Sequence, residues 1–351
     1  MPVRLAAPDR LLALVRTSRQ HAAWLWWAHS LYALALGVAF MWLGSRNFAW
    51  LRLAAFNIAF IWITSVLAAS LVGTRGPATP WWPRAWLVIN YVNRNFYQQV
   101  LFFILPVYYA SATAWTANFA FVVLLALSAV LSTLDVVYDR VLSTNRWLAA
   151  GFFGFNAFAA VNVALPVVLA ASNRTALRLA TLAAVVGFVT IAVRVGQLRR
   201  RPAWAAITAG ALVVFLASEA ARPLVPPAPL RLAGTSFGLG FDRRGFTVTR
   251  PVADVPPASA GRLYAVTAVV APVGLNDRVS LRWRQGPRTL WISPAHDIAG
   301  GRAQGFRLWS AVPADRLGGA DPLQLDVVTE AGQLIGRAAL PARPVPSDLA
   351  R

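Results

Sequence analysis

Asp135 and Asp139 stand four residues apart, which puts both carboxylates on one face of a helix, with Arg140 beside them. Paired carboxylates at that spacing can hold a cation, relay a proton or supply half of a general acid/base pair. Inside a bilayer such groups are costly, roughly 2.5 to 3.5 kcal/mol each at mid-depth, and are retained for function or for pairing. Both aspartates fall at the end of an apolar segment, where the depth is shallow, and this favours an interfacial pair held by Arg140 or Arg94. Gln98 and Gln99 open the preceding apolar segment. They complete a candidate intramembrane polar site with Asp135 and Asp139, although amides there more often hydrogen-bond one helix to another.

A second constellation lies in the C-terminal third. The two-residue period of a strand puts Val279, Leu281 and Trp283 on one face and Arg278, Ser280, Arg282 and Arg284 on the other. The same alternation buries Phe306 and Leu308 and turns Arg307 and Trp309 outward. If these strands share a sheet, Arg282, Arg284, Arg307 and Trp309 form a basic, aromatic-bearing binding face. Guanidinium forks bind carboxylate or phosphate in pairs and an indole offers a stacking plane, so the ligand class is an anionic envelope glycan, a phosphorylated lipid headgroup or an acidic protein partner. The competing reading is a solvated sheet face resting on lipid headgroups.

Other chemistry is poorly served. The chain has no cysteine, which excludes thiol nucleophiles, Cys-ligated metals and disulfides. His296 beside Asp297 lacks a third ligand nearby, and Gly300-Gly301-Arg302 lacks the strand-to-helix setting of a phosphate loop. No nucleophile elbow or Ser/His/Asp spacing is present. No catalytic residue, cofactor or metal is expected.

The elements that must position these residues are of two kinds. Residues 21–224 read as an α-helical transmembrane bundle of about seven spans, near Ala23–Leu43, Ala54–Val72, Phe96–Trp115, Asn118–Val136, Leu148–Ala171, Leu177–Val193 and Ala203–Glu219. Lysine is absent, and thirteen Arg fall in one alternate set of flanks against five in the other. Cationic loops stay on the cytoplasmic side, so the N-terminus is expected there and the C-terminal domain outside the cytoplasmic membrane. This topology accounts for most of the +20 net charge, and nucleic acid is not an expected partner. Asp9–Gln20, within a cytoplasmic segment 1–20, and Trp81–Tyr91 read as amphipathic pieces in the headgroup plane. The N-terminal basic and apolar run is too long for a signal peptide and lacks a cleavage site. Pro106 and Pro166 read as kinks within spans.

Residues 225–260 read as a Pro-rich linker with one or two first strands in Leu230–Thr249. Residues 261–345 read as an all-β antiparallel sandwich of immunoglobulin-like architecture, followed by a tail at 346–351. Strands are expected at Leu263–Val270, Arg278–Arg284, Thr289–Ser293, Phe306–Val312, Leu323–Val328 and Gln333–Leu340, the last two joined around Glu330-Ala331-Gly332.

Several stretches carry a resemblance. They are Asn95-Phe96-Tyr97-Gln98-Gln99 with Phe102-Phe103-Ile104-Leu105-Pro106, Asp135 with Tyr138, Ala271-Pro272-Val273-Gly274-Leu275, Gly300-Gly301-Arg302, Gly305-Phe306-Arg307-Leu308-Trp309-Ser310, and Gly332-Gln333-Leu334-Ile335-Gly336-Arg337. On these the chain resembles a bacterial multi-pass membrane-protein family catalogued as a domain of unknown function, joined to a C-terminal β-domain catalogued in the same way. The resemblance implies no activity. In that family a His often stands two places before the strand Trp; here Leu281 precedes Trp283, so no role of that His carries over.

Two functions are expected from different classes. The first is a non-enzymatic membrane protein whose bundle anchors an extracytoplasmic binding or assembly module. The second is a small-solute or ion transporter, or a membrane sensor, in which the bundle does the work. An intramembrane enzyme ranks third, for lack of a nucleophile and base at workable spacing.

Overall fold

The computed structural model describes residues 31, 32, 35, 56, 57, 59–64, 82–134, 142, 144–193, 197, 201–318 and 321–342. Five α-helices have both ends among these residues: α1 Trp82–Ala110, α2 Phe119–Thr133, α3 Arg146–Val168, α4 Asn173–Ala192 and α5 Arg201–Ala220. Of the seven expected crossings, three helices among the described residues are long and apolar enough to cross a membrane, namely α3, α4 and α5. At 15 residues, α2 is shorter than the expected crossing; at 1.5 Å per residue it reaches about 22 Å against a hydrocarbon core of about 30 Å. α1 is one continuous helix, so the expected in-plane piece at Trp81–Tyr91 and the expected crossing at Phe96–Trp115 belong to a single 29-residue element. Its first eighteen residues carry too many Asn, Gln and Arg to match the apolar helices. Most of the expected crossings at Ala23–Leu43 and Ala54–Val72, and all of Asp9–Gln20, lie outside the described residues.

Local chemistry explains the helix ends. Asn145 caps α3, its Oδ1 accepting from the amides of Trp147 (3.0 Å) and Leu148 (3.3 Å), and the Ser172 side chain accepts from Thr175 N at the start of α4. Pro106 and Pro166 sit inside α1 and α3 and do not end them. The helices pack through Tyr97, Leu101, Ile104, Tyr108, Leu125, Phe153, Ala160 and Leu177. α5 differs, because none of its residues is buried and Leu212, Val213 and Leu216 are more than half exposed.

Nine strands follow: β1 Arg231–Asp242, β2 Thr247–Pro251, β3 Arg262–Val270, β4 Asn276–Gln285, β5 Arg288–Ile292, β6 His296–Ala299, β7 Phe306–Pro313, β8 Leu323–Thr329 and β9 Leu334–Leu340. They form two antiparallel sheets, one ordered β2-β1-β3-β7, the other β5-β4-β8-β9 with β6 also paired to β4. The alternation read for β4 holds, with Val279, Leu281 and Trp283 fully buried. One apolar cluster joins residues of both sheets, Leu263, Leu308 and Val312 from the first with Leu281, Trp283, Leu325 and Val327 from the second. The Trp283 indole Nε1 donates to Ser310 Oγ at 3.1 Å and so ties β4 to β7. The β8–β9 turn is at Glu330-Ala331-Gly332, where Gly332 takes φ 84° and donates to Thr329 O at 2.8 Å.

β1 lies between β2 and β3 in the stretch read as linker with first strands, so the sheets begin at Arg231. Glycines at 234, 238 and 240 lower the strand signal of β1. Gly238 is needed there, since a Cβ would stand 2.7 Å from Thr249 O across the hairpin. β6 was not expected, being four residues between a proline and two glycines.

The β-region docks on one end of the helices through three loops. Between α1 and α2, Asn118 Nδ2 donates to Leu334 O at 2.9 Å. At the start of α4, Asn173 donates from its amide (3.2 Å) and from Nδ2 (3.0 Å) to Asp277 Oδ2. After α5, Gln333 Nε2 donates to Val225 O at 3.0 Å, with Gln333 only 1% exposed. Asp277→Ala should free the Asn173 amide, and hydrogen exchange at that amide should accelerate at least tenfold while exchange in mid-α4 stays unchanged. Unaltered protection at Asn173 would show that Asp277 does not hold this junction.

Candidate binding cleft

β7 is the edge strand of the four-stranded sheet, and its alternation sends Leu308, Ser310 and Val312 inward and Arg307 and Trp309 outward. Cross-strand pairing sets Trp309 opposite Val266 and Arg307 opposite Ala268 on β3. Tyr264 falls on the same outer face two positions along. The ring of Phe241, from the end of β1, stacks on Trp309 with centroids 4.6 Å apart at 22°, and lies nearly parallel to Tyr264 at 6.3 Å. Phe246 adds an edge contact to Phe241 at 5.5 Å.

The β1–β2 turn is what delivers Phe246. Asp242 accepts from the amides of Arg244 (2.9 Å) and Gly245 (3.0 Å), and Phe246 takes the left-handed conformation at φ 51°. Gly245 O in turn accepts from Arg307 Nη1 at 3.2 Å, so the turn and β7 are fixed together. On the other side of β7, the Arg302 guanidinium lies 4.6 Å from the Phe306 ring centroid. Between these groups and β6 lies an open cleft of about 810 Å³, lined among others by Phe246, His296, Arg302, Arg307 and Trp309.

The cleft thus has an aromatic wall and two exposed guanidinium groups. Asp297 also lines it, but its carboxylate is shared with Arg278 at 3.5 Å, and Arg278 binds Glu330 more closely at 2.7 Å. Such a site can hold a ring by its apolar face and a carboxylate or phosphate on that ring by Arg302 and Arg307. Phe241, Phe246 and Tyr264 were not singled out by sequence. Tyr264 stood at an outward strand position and could have been found by alternation; the rings from β1 and its turn carried no such signal.

Arg282 and Arg284 lie elsewhere, because β4 and β7 belong to different sheets. The condition for a single face of four residues is not met, and the structure divides them into Arg307 with Trp309 and Arg282 with Arg284. On the second sheet the buried Asp326 carboxylate organises the basic residues. Arg337 grips it in a two-point contact, Nε to Oδ1 at 2.5 Å and Nη2 to Oδ2 at 2.9 Å, and Arg284 Nη1 stands 3.7 Å from Oδ2. The hydrogen bonds that Arg337 donates to Asp326, together with the charge of that carboxylate, raise the Arg337 pKa above its ordinary value against the cost of burial. Arg282 is the cross-strand partner of Asp326, and its Nε is buried without a hydrogen-bond partner.

Among the helices, Gln98 Nε2 donates to Ser132 O at 3.0 Å, and Gln99 Oε1 accepts from Asn57 Nδ2 at 3.2 Å. Both amides therefore bond helix to helix. The buried Tyr108 hydroxyl donates to Ala159 O and accepts from Asn162 Nδ2, each at 3.0 Å, locking α1 to α3. Asp135 and Asp139 lie outside the described residues. Glu219 near the end of α5 pairs with Arg222 at 3.4 Å, and more closely with Arg178 of α4 at 2.7 Å.

A model of a family of unknown function, DUF5924, matches residues 6–265. The chain belongs to that family. The match runs through the helices, β1 and β2 and ends in β3. No curated protein and no solved structure matches the chain.

Proposed function

We propose that this member of the family is a multi-pass protein of the cytoplasmic membrane that anchors a non-catalytic, extracytoplasmic β-sandwich, and that the sandwich binds an anionic glycan of the cell envelope in the β7 cleft. The observation that carries the reading is Trp309 and Phe246 beside Arg302 and Arg307 lining an open cleft, with the Trp309 ring held by its stack on Phe241. A sugar ring offers an apolar C–H face to an aromatic plane, and its carboxylate or phosphate fits a guanidinium fork.

Two observations support the placement. The largely exposed apolar surface of α5 exceeds what a water-facing helix carries, and hydrocarbon would cover it. The β-region docks at the α1–α2 and α3–α4 loops and after α5, and this is the Arg-poor end; Arg146 and Arg201 begin α3 and α5 at the other. Retention of the Arg-rich end in the cytoplasm would leave the cleft outside.

The test uses the full chain in nanodiscs of zwitterionic lipid. Polygalacturonate should bind and dextran should not, and binding should weaken as salt is raised. Equal binding of the two polymers, or of neither, would overturn the ligand class. Alkaline phosphatase fused at Arg351 and near Arg174 should be active, with a fluorescent protein bright only near Arg75. Fluorescence at Arg351 would put the β-region in the cytoplasm.

A further inference from the structure

α3, α4 and α5 run antiparallel in sequence, but they do not pack equally. α3 and α4 close on each other, since a Cβ at Gly154 would stand 3.4 Å from Ala184 O and one at Gly187 would strike the Phe153 ring. α5 stands off, and a groove of about 670 Å³ lies along the three helices, lined among others by Trp147, Gly151, Phe158, Phe188, Gly210 and Val214. Gly151 and Gly210 keep it open, for no atom lies within 4 Å of where a Cβ would stand at either.

The groove extends along α5 from Ala203 to Ser218, about 22 Å at 1.5 Å per residue. One leaflet's half of the hydrocarbon core is about 15 Å, so a single acyl chain fits lengthwise. Both ends carry Arg, but the two differ in how those charges are paired. At one stand Arg146, its guanidinium 5.2 Å from the Trp147 ring centroid, and the exposed Arg201. At the other, polar groups already satisfy one another: Ser218 Oγ donates to Phe215 O at 2.8 Å, and Arg178 holds Glu219. A headgroup bearing negative charge therefore belongs at the Arg146 and Arg201 end, with Trp147 at its level.

We infer that this groove is a binding site for one acyl chain of an anionic phospholipid, with its phosphate between Arg146 and Arg201. The inference rests on the membrane placement proposed above. The phosphatase and fluorescence fusions report on orientation and the following experiment on the groove, so the two can fail separately.

The full chain, reconstituted with equal amounts of phosphatidylglycerol and phosphatidylcholine and then extracted in mild detergent, is examined by native mass spectrometry. The unaltered protein should retain one phosphatidylglycerol per chain. Gly151→Leu with Gly210→Leu, which fills the groove, should lower that occupancy at least tenfold with helical circular dichroism unchanged. Arg146→Gln with Arg201→Gln should keep a lipid but take the two headgroups equally. Undiminished retention in the double-leucine variant would overturn the site. If that variant does not fold, Gly210→Cys, a unique thiol in this cysteine-free chain, carries a fluorophore that brominated phosphatidylglycerol should quench. Absence of quenching, or a disulfide-linked dimer through that thiol showing a second copy in the groove, would overturn it as well.

Discussion

Arg307→Ser combined with Trp309→Ala is expected to lower the affinity of this chain in nanodiscs for polygalacturonate by roughly 100-fold. A hydrogen bond to a charged group contributes about 1.5 to 3 kcal/mol and an aromatic stack about 0.5 to 1.5 kcal/mol, and each 1.4 kcal/mol is tenfold in affinity. Both side chains are exposed, Trp309 by 37%, which places the effect within and not above that sum. Arg282→Ser with Arg284→Ser should leave the affinity within about twofold, because β4 lies in the other sheet. The pairing of variants is decisive. A non-specific electrostatic attraction to a basic chain would respond to both double substitutions alike, and a stacking site responds to one. Isothermal titration at two salt concentrations reads the difference; equal losses in the two variants would remove the cleft as the site.

Trp283→Ala is expected to destabilise the β-region by about 3 to 5 kcal/mol, the range for removing a large aromatic from a core. The side chain is fully buried, lies edge-on to Phe237 at 5.9 Å, and donates to Ser310. Its loss leaves a cavity between the two sheets and an unpaired Ser310 hydroxyl. Trp283→Phe keeps most of the volume but removes the donor, and should cost about 1 to 3 kcal/mol. Urea-dependent proteolysis of the full chain in vesicles, read at sites within the sheets, gives the unfolding midpoint. A midpoint unmoved by Trp283→Ala would contradict the packing of β4 against β7.

The two kinds of element differ in how much of them the sequence carries. Strand positions were readable because a two-residue period is local, and Val279, Leu281 and Trp283 needed no knowledge of neighbouring strands. Helix chemistry was readable for the same reason: Gln98 and Gln99 lie in an apolar setting where an amide must find a partner, and they bond to Ser132 and Asn57. The span count was less legible, because hydropathy over a window does not separate a crossing from a packed helix such as α2, 15 residues long, and does not register that α1 continues across Tyr91. β1 was obscured by its glycines, of which Gly238 and Gly240 permit close approach to β2, a property of the pair and not of the strand.

The sequence by itself determined the division into apolar helices and alternating strands, the Arg asymmetry between helix ends, and the inward or outward direction of each side chain on β4 and β7. Those are consequences of short-range periodicity and of composition. Which strands share a sheet was decided only by the tertiary structure. A strand's period says which of its faces is solvated but not which other strand's solvated face adjoins it, and this separated Arg282 and Arg284 from Arg307 and Trp309. The same holds for the aromatic cluster around Trp309, where Phe241, Tyr264 and Trp309 are far apart in the chain and meet through cross-strand register. It also holds for the groove beside α5, which exists because one helix fails to close on two that do.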